Sequence, residues 1–215
     1  MLRAAPAGMC KTIVSCIAIL AVHALAACGD DSKHSDIESR ALDEGTTRGQ
    51  ALQAQAAQDF AGCTESEAIG KAAGVVFTIN DNEIAQASFV LAKTGDVRVR
   101  ALATRIAADH QASNAALLTL LHNRNVAPIE TSVSGALTGE ANAGLAQLRA
   151  GELRNINIDY TRIQITMHQE ALLIVGTVRD AVPASATDIR GFLSDALTMI
   201  GDHQARAETV LRNLP

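Results

Sequence analysis

Three histidines in the later part of the chain stand in closely similar settings: Asp109-His110-Gln111-Ala112, Met167-His168-Gln169-Glu170-Ala171 and Asp202-His203-Gln204-Ala205. An apolar residue recurs seven places after each, at Leu117, Val175 and Val210, so each imidazole falls within an apolar helical stripe. Glu83 interrupts another such stripe. Neutral imidazole and carboxylate are ligands for zinc, copper, nickel or iron, and a bundle can aim one group from each helix at a shared point. Glu83, His110, His168 and His203 are therefore the candidate ligands of one mononuclear transition-metal site. Asp109 and Asp202 are candidate outer partners of the histidines, although neighbours on a helix diverge by about 100° and can face elsewhere.

A second reading of the same residues needs no ion. Glu83, the histidines and Tyr160 could form a buried polar layer whose members satisfy one another. Such a layer fixes helix register, because misalignment strands a polar group at a cost of about 1–3 kcal/mol. Both readings stay open at this level. A di-iron centre is a different matter, since it needs a Glu-x-x-His pair on each of two helices. Ala107, Ile165 and Ile200 stand three places before the three histidines, so those carboxylates are missing. The chain also lacks a glycine-rich phosphate loop, a Cys-x-x-Cys pair and a nucleophile elbow. Ser88 and Ser113 read as small packing residues, Met167 and Met199 as core, and no residue is assigned a catalytic role.

The elements that must position these groups are helical. Of 215 residues, 48 % are hydrophobic and only 2 % aromatic, with Ala and Leu dominant, a composition that favours helix over sheet. Periodicity places long helices over about 67–93, 97–124, 152–182 and 187–213, with a short one near 140–149 and a loop over 131–139. The inner stripes carry Val76, Ile79 and Val90, then Val99, Leu102 and Ile106, then Ile156, Tyr160 and Ile163, then Phe192, Ala196 and Met199. Helices of this length extend roughly 40 Å. An antiparallel four-helix bundle over 66–215 is the economical way to bury four such faces.

The first residues read as an address. Arg3 and Lys11 precede the apolar run Ile13–Ala24, which is short for a membrane span of about 20 residues, and Leu25-Ala26-Ala27-Cys28 follows. These four resemble a bacterial lipobox, which implies removal of residues 1–27 and lipidation of Cys28. Each buried CH₂ of such an anchor contributes about 0.8 kcal/mol of membrane affinity. The alternative is an ordinary signal cut near Ala27. Gly29 after the cysteine resembles a signal for the outer rather than the inner membrane. Residues 28–65 carry Asp30, Asp31, Asp36, Glu38, Asp43, Glu44, Asp59 and Glu65 and few large apolar side chains, so they read as a disordered linker. Cys63 is then a solitary thiol in that linker, or the site of a cross-linked dimer. The net charge of −5 and the absence of a basic block argue against a nucleic-acid partner.

Glu83-Ile84, the spacing Val99…Leu102-Ala103…Ile106…Asp109-His110, Tyr160…His168 and the late His203 together resemble the domain of unknown function 4142 family over about residues 66–214. The resemblance implies a ferritin-like fold in a secreted or envelope protein of bacteria, and implies no activity. Asn157 and Gln164 depart from the family pattern, where an acidic and an apolar residue are usual. The expectation is a lipid-anchored envelope protein facing the periplasm, with a non-catalytic role in binding, stress or metal handling. The competing expectation is a mononuclear metalloenzyme using the Glu83, His110, His168 and His203 site. A third expectation is an interaction module presented on the tether, its protein partner unknown.

Overall fold

Capping chemistry marks where three of the helices begin. Thr64 and Glu67 form a reciprocal capping box, Asp96 accepts from the backbone of Arg98 and Val99, and Thr131 pairs with Ser134 in a second box. The computed structural model describes residues 31–153 and 155–215. Over these it consists of six helices and no strand: α1 (Asp31–Asp59), α2 (Glu65–Leu91), α3 (Val97–Arg124), α4 (Ser132–Ala150), α5 (Ile156–Ala181) and α6 (Thr187–Arg212). The protein is thus an all-α helical bundle. No helix among the described residues is long and apolar enough to cross a membrane. The expected signal segment and Cys28 lie outside the described residues.

Helices α2, α3, α6 and α5 are neighbours in that cyclic order and enclose the interior. The short turns 92–96 and 182–186 reverse the chain within the pairs α2/α3 and α5/α6. Two apolar clusters fill the space. One is built from Ile69–Ile79 of α2, Leu117 and Leu121 of α3, Ile174–Val178 of α5 and Ile189–Ile200 of α6. The other takes Ala87 and Val90, Val99–Ile106, Ile156–Ile165, and Ala207–Leu211 from the same helices. Between them, on all four helices at once, lie Asn80 and Glu83, His110, His168 and His203. A polar layer therefore divides the core.

The structure differs from the readings of residues 28–65 as linker and 131–139 as loop. Residues 31–59, read as linker, form α1, which lies chiefly along α5 and also touches α4 and α6. Its contact stripe is Ala41, Gly45, Gly49, Leu52, Ala56 and Phe60, all buried. Small residues four apart make a face that buries by close approach rather than by bulk. A Cβ built on Gly45 would lie 2.4 Å from the Thr166 carbonyl oxygen, and one on Gly49 2.7 Å from Leu173 Cδ1. Polar pins reinforce the contact, with Gln53 Nε2 donating to Thr177 Oγ1 at 2.9 Å and Arg212 to Glu38 Oε1 at 2.8 Å. Residues 132–139, read as loop, are the start of α4, whose first turn is anchored by the Asp59 carboxylate on Ser132 Oγ and the Val133 amide. Cys63 consequently lies in the α1–α2 turn, with Lys71 Nζ donating to its Sγ at 3.1 Å.

The packing of α1 gives a test with opposite signs for the two descriptions. In a solvated helix or tether, Gly45→Ala would be neutral or would stabilise by up to about 1 kcal/mol through helix propensity. Packed against the Thr166 carbonyl, it is expected to destabilise by about 1–3 kcal/mol, read as a lower urea midpoint. An unchanged or higher midpoint would contradict the docked helix.

Candidate metal centre

Each of three helices carries one histidine into the dividing layer. His110 on α3 and His203 on α6 are 0 % exposed and His168 on α5 is 2 % exposed. Their ring centroids are 5.3–6.1 Å apart. One ring nitrogen from each lies within 4.8 Å of those of the other two. An ion with metal–nitrogen bonds of about 2.0–2.1 Å sets its ligand nitrogens roughly 3.4 Å apart, inside that limit.

The other nitrogen of each ring is committed to a partner outside the trio. His110 Nδ1 meets Asn80 Oδ1 at 2.7 Å, His168 Nδ1 meets the Gln164 carbonyl oxygen at 2.8 Å, and His203 Nε2 meets Asp109 Oδ2 at 2.9 Å. All three partners are acceptors. The Asn80 amide is oriented by its own Nδ2, which donates to Asn114 Oδ1 at 2.6 Å and Ser113 Oγ at 3.1 Å. The partner therefore assigns the proton to the outer nitrogen of each ring. His110 Nε2, His168 Nε2 and His203 Nδ1 are left as lone pairs, buried and without a hydrogen-bond partner.

Burial sets the charge state. It pushes His110 well below the usual histidine range, with the neighbouring histidines adding to the effect. His168 is pushed down to about 3 for the same reasons. His203 is lowered by burial against the opposing pull of Asp109. Burial raises the Asp109 carboxyl, but hydrogen bonds from His203 and Arg105 together outweigh it and hold Asp109 below its ordinary value. At neutral pH the trio is uncharged and Asp109 is ionised.

Glu83 does not join the convergent nitrogens, contrary to the expectation of four ligands. It is buried beside the outer face of His168, its Oε1 3.8 Å from Nδ1. That nitrogen already donates to Gln164, and burial pushes the Glu83 carboxyl up to about 8. The approach is therefore a contact between two neutral groups rather than an ion pair. Asp202 pairs with Arg206 at 2.7 Å on the surface, so only Asp109 of the two aspartates partners a histidine. Tyr160 is fully buried, its phenol raised by burial and by Glu83 and its hydroxyl unpartnered. The mutual hydrogen bonding expected of a polar layer is not found among the three histidines.

Several contributors escape a search for ligand types. Asn80 reads as an ordinary amide on α2, and Gln164 acts through its backbone. The position of Asn80 one turn before Glu83, on the same stripe, was the available signal. Gln164 Nε2 also donates to Gln86 Oε1 at 3.2 Å in the buried interior, and Asn157 Oδ1 accepts from Thr94 Oγ1 at 2.5 Å in a partly buried position, so both departures from the family pattern carry hydrogen bonds. Glu170, buried and hydrogen-bonded to Glu140, has its pKa raised first by burial and then by that neighbour. Ser88 is exposed, while Met167 and Met199 pack against the core.

Fold and site together define a class, an all-α bundle closed around a buried trio of neutral histidines. The chain belongs to the family described as Domain of unknown function (DUF4142), whose model matches residues 50–210. The match starts within α1. No curated protein and no solved structure matches the chain.

The pKa shifts give the ion-free protein a definite pH response. Between the unfolded value of 6.5 and about 3, the unfolded chain protonates His168 while the folded protein does not. That contribution is full above about 6.5 and is lost as pH falls. Glu83 acts oppositely, because its folded value near 8 makes its contribution full below 4.5 and lost as pH rises through about 8. In chelator, the urea midpoint of His168→Gln is expected to fall less than the parent's between about pH 7 and about pH 5. Parallel profiles would contradict a neutral, buried His168.

Proposed function

We propose that this protein is a lipid-anchored protein of the bacterial cell envelope whose helical domain binds one transition-metal ion at His110, His168 and His203. One observation carries the metal reading: the three buried imidazoles bring one nitrogen each within 4.8 Å of the others, and each ring keeps one nitrogen without a hydrogen-bond partner. Acceptors cannot satisfy one another, and each left bare costs about 1–3 kcal/mol. A cation takes all three lone pairs at once. The outer partners Asn80, Gln164 and Asp109 resemble the carboxylate and carbonyl groups that orient ligand histidines and raise their basicity. Neutral imidazole suits zinc, copper, nickel or iron. The burial of the three rings favours holding an ion over turning over a substrate, so metal handling is preferred to metalloenzyme chemistry.

Envelope anchoring is supported by Arg3, Lys11, the apolar run Ile13–Ala24 and the Leu25-Ala26-Ala27-Cys28 sequence. Lipid on Cys28 would place the domain at the membrane surface, because only Gly29 and Asp30 separate that cysteine from α1. By the resemblance at Gly29 the domain faces the periplasm from the outer membrane.

Elemental analysis of the mature chain from a metal-replete host is expected to find about one equivalent of transition metal, strongly reduced in His203→Ala. Less than about a tenth of an equivalent in the parent would remove the metal reading, and equal content in both would remove this site. In the same host, Cys28→Ser is expected to move the protein from the detergent to the aqueous phase; retention in detergent would remove the lipid anchor.

A further inference from the structure

One end of the bundle differs from the rest in what it leaves uncovered. The α2–α3 turn, the α4–α5 turn and the last turn of α6 meet there. Thr94 Oγ1 donates to Asn157 Oδ1 at 2.5 Å, Arg98 reaches the Asn213 carbonyl oxygen, and Arg149 of α4 lies over the Phe89 ring of α2. α1 begins at the same end, where Arg212 of α6 donates to Glu38 at 2.8 Å.

Large apolar side chains stand in solvent at this end. Val97 is 77 % exposed and Leu153 is 69 % exposed. Leu118, 55 % exposed, lies about 30 Å further along α3 than Val97 and belongs to the opposite half of the bundle. Cations accompany the first two. Lys93 and Arg149 sit over Phe89, at 6.0 and 5.9 Å from its ring centroid. Arg100 donates to the carbonyl oxygens of Leu91 and Thr94 at 2.9 and 3.2 Å. Neither a ring nor a carbonyl cancels charge. The acids Asp96 and Glu38 of the same end are held by Arg98 and Arg212. Exposed apolar side chains beside cations suit one kind of surface, an apolar layer faced with anionic headgroups.

The chain itself brings such a surface to this end. Three peptide steps separate Cys28 from Asp31, the first residue of α1, a reach of roughly 11 Å at full extension. A lipid on Cys28 therefore holds the Val97 and Leu153 end at the bilayer, where a tethered contact forms at high effective concentration.

Resting on the anchoring reading above, we propose that this end of the bundle is a second membrane contact, made with an anionic lipid surface. Val97 and Leu153 enter the interface, and Lys93, Arg100 and Arg149 meet lipid phosphates. The bundle then stands upright on the membrane. His110, thirteen residues along α3 from Val97, is held about 20 Å above the interface.

The chain contains no tryptophan, so Leu153→Trp and Leu118→Trp each introduce a single reporter. Each full-length protein, processed in a bacterial host, is reconstituted into vesicles of phosphatidylglycerol and phosphatidylethanolamine with brominated acyl chains, and its lipid is checked by mass. The Leu153→Trp emission is expected to shift blue and to be quenched by bromine, while the Leu118→Trp emission does neither. Adding Lys93→Gln and Arg149→Gln to Leu153→Trp is expected to lower the docked-to-free ratio about twentyfold, at about fivefold for each cation. Unquenched Leu153→Trp emission on a chain that carries its lipid would overturn the docking and leave the anchor intact. A blue shift without quenching would give the patch to a second copy or another protein and also overturn it. So would equal quenching at both positions, or quenching that survives loss of the two cations. A mass without acyl groups would overturn the anchor and the docking together.

Discussion

Three imidazole N–H groups point outward, and the interior is organised by that fact. Each hydrogen goes to an acceptor behind its ring: an asparagine oxygen on α2, a main-chain carbonyl on α5 and an aspartate on α3. What each ring keeps free is a lone pair alone, on side chains that are almost wholly buried. Buried acceptors without donors are costly. A protein that arranges three of them around one point places a premium on a cation there, and the neutral state enforced by burial keeps those lone pairs available.

The bundle supplies the conditions for this arrangement. Apolar clusters on either side of the layer exclude solvent along the helix axes, while the ring of α2, α3, α6 and α5 excludes it laterally. Register follows from the same bonds, because sliding α2 by one turn would take Asn80 away from His110 and strand both. α1 adds a cover along α5, seated through Gly45 and Gly49 on the helix that carries His168. The Thr166 carbonyl that Gly45 approaches lies two residues from that histidine, so the close packing of α1 bears directly on where the ring sits. The exception to this closure is Asp109, where an ionised group both supports His203 and is partly exposed.

How much of this was legible follows from which signals periodicity carries. The histidines were readable because each interrupts an apolar stripe at a fixed place, and Asp96, Pro183 and their neighbours mark the boundaries of α3, α5 and α6 within a few residues. α1 was not readable in the same way. Its buried face is Ala41, Gly45, Gly49 and Ala56, and residues that bury by closeness look, on a hydropathy scale, like residues that do not bury at all. The start of α4 was hidden by Gly135 and Gly139, which suggest a loop but have nothing near them and are tolerated in the helix. Glu83 was drawn into the ligand set by its chemical type. Its helix brings it to the right layer but to the wrong side of His168, a distinction of side-chain direction that spacing along one helix cannot express. Asn80 was missed for the converse reason, since its type is unremarkable and only its partner gives it a role.

Long-range proton–nitrogen correlation NMR of the histidine-labelled, chelator-treated protein at neutral pH observes directly which of the six ring nitrogens of the trio carry protons. His110 and His168 are predicted to carry hydrogen on Nδ1 with bare Nε2, and His203 to carry it on Nε2 with bare Nδ1. A different tautomer at any of the three, or a doubly protonated ring, would mean that the lone pairs do not converge, and the reading of this interior as a metal centre would fail.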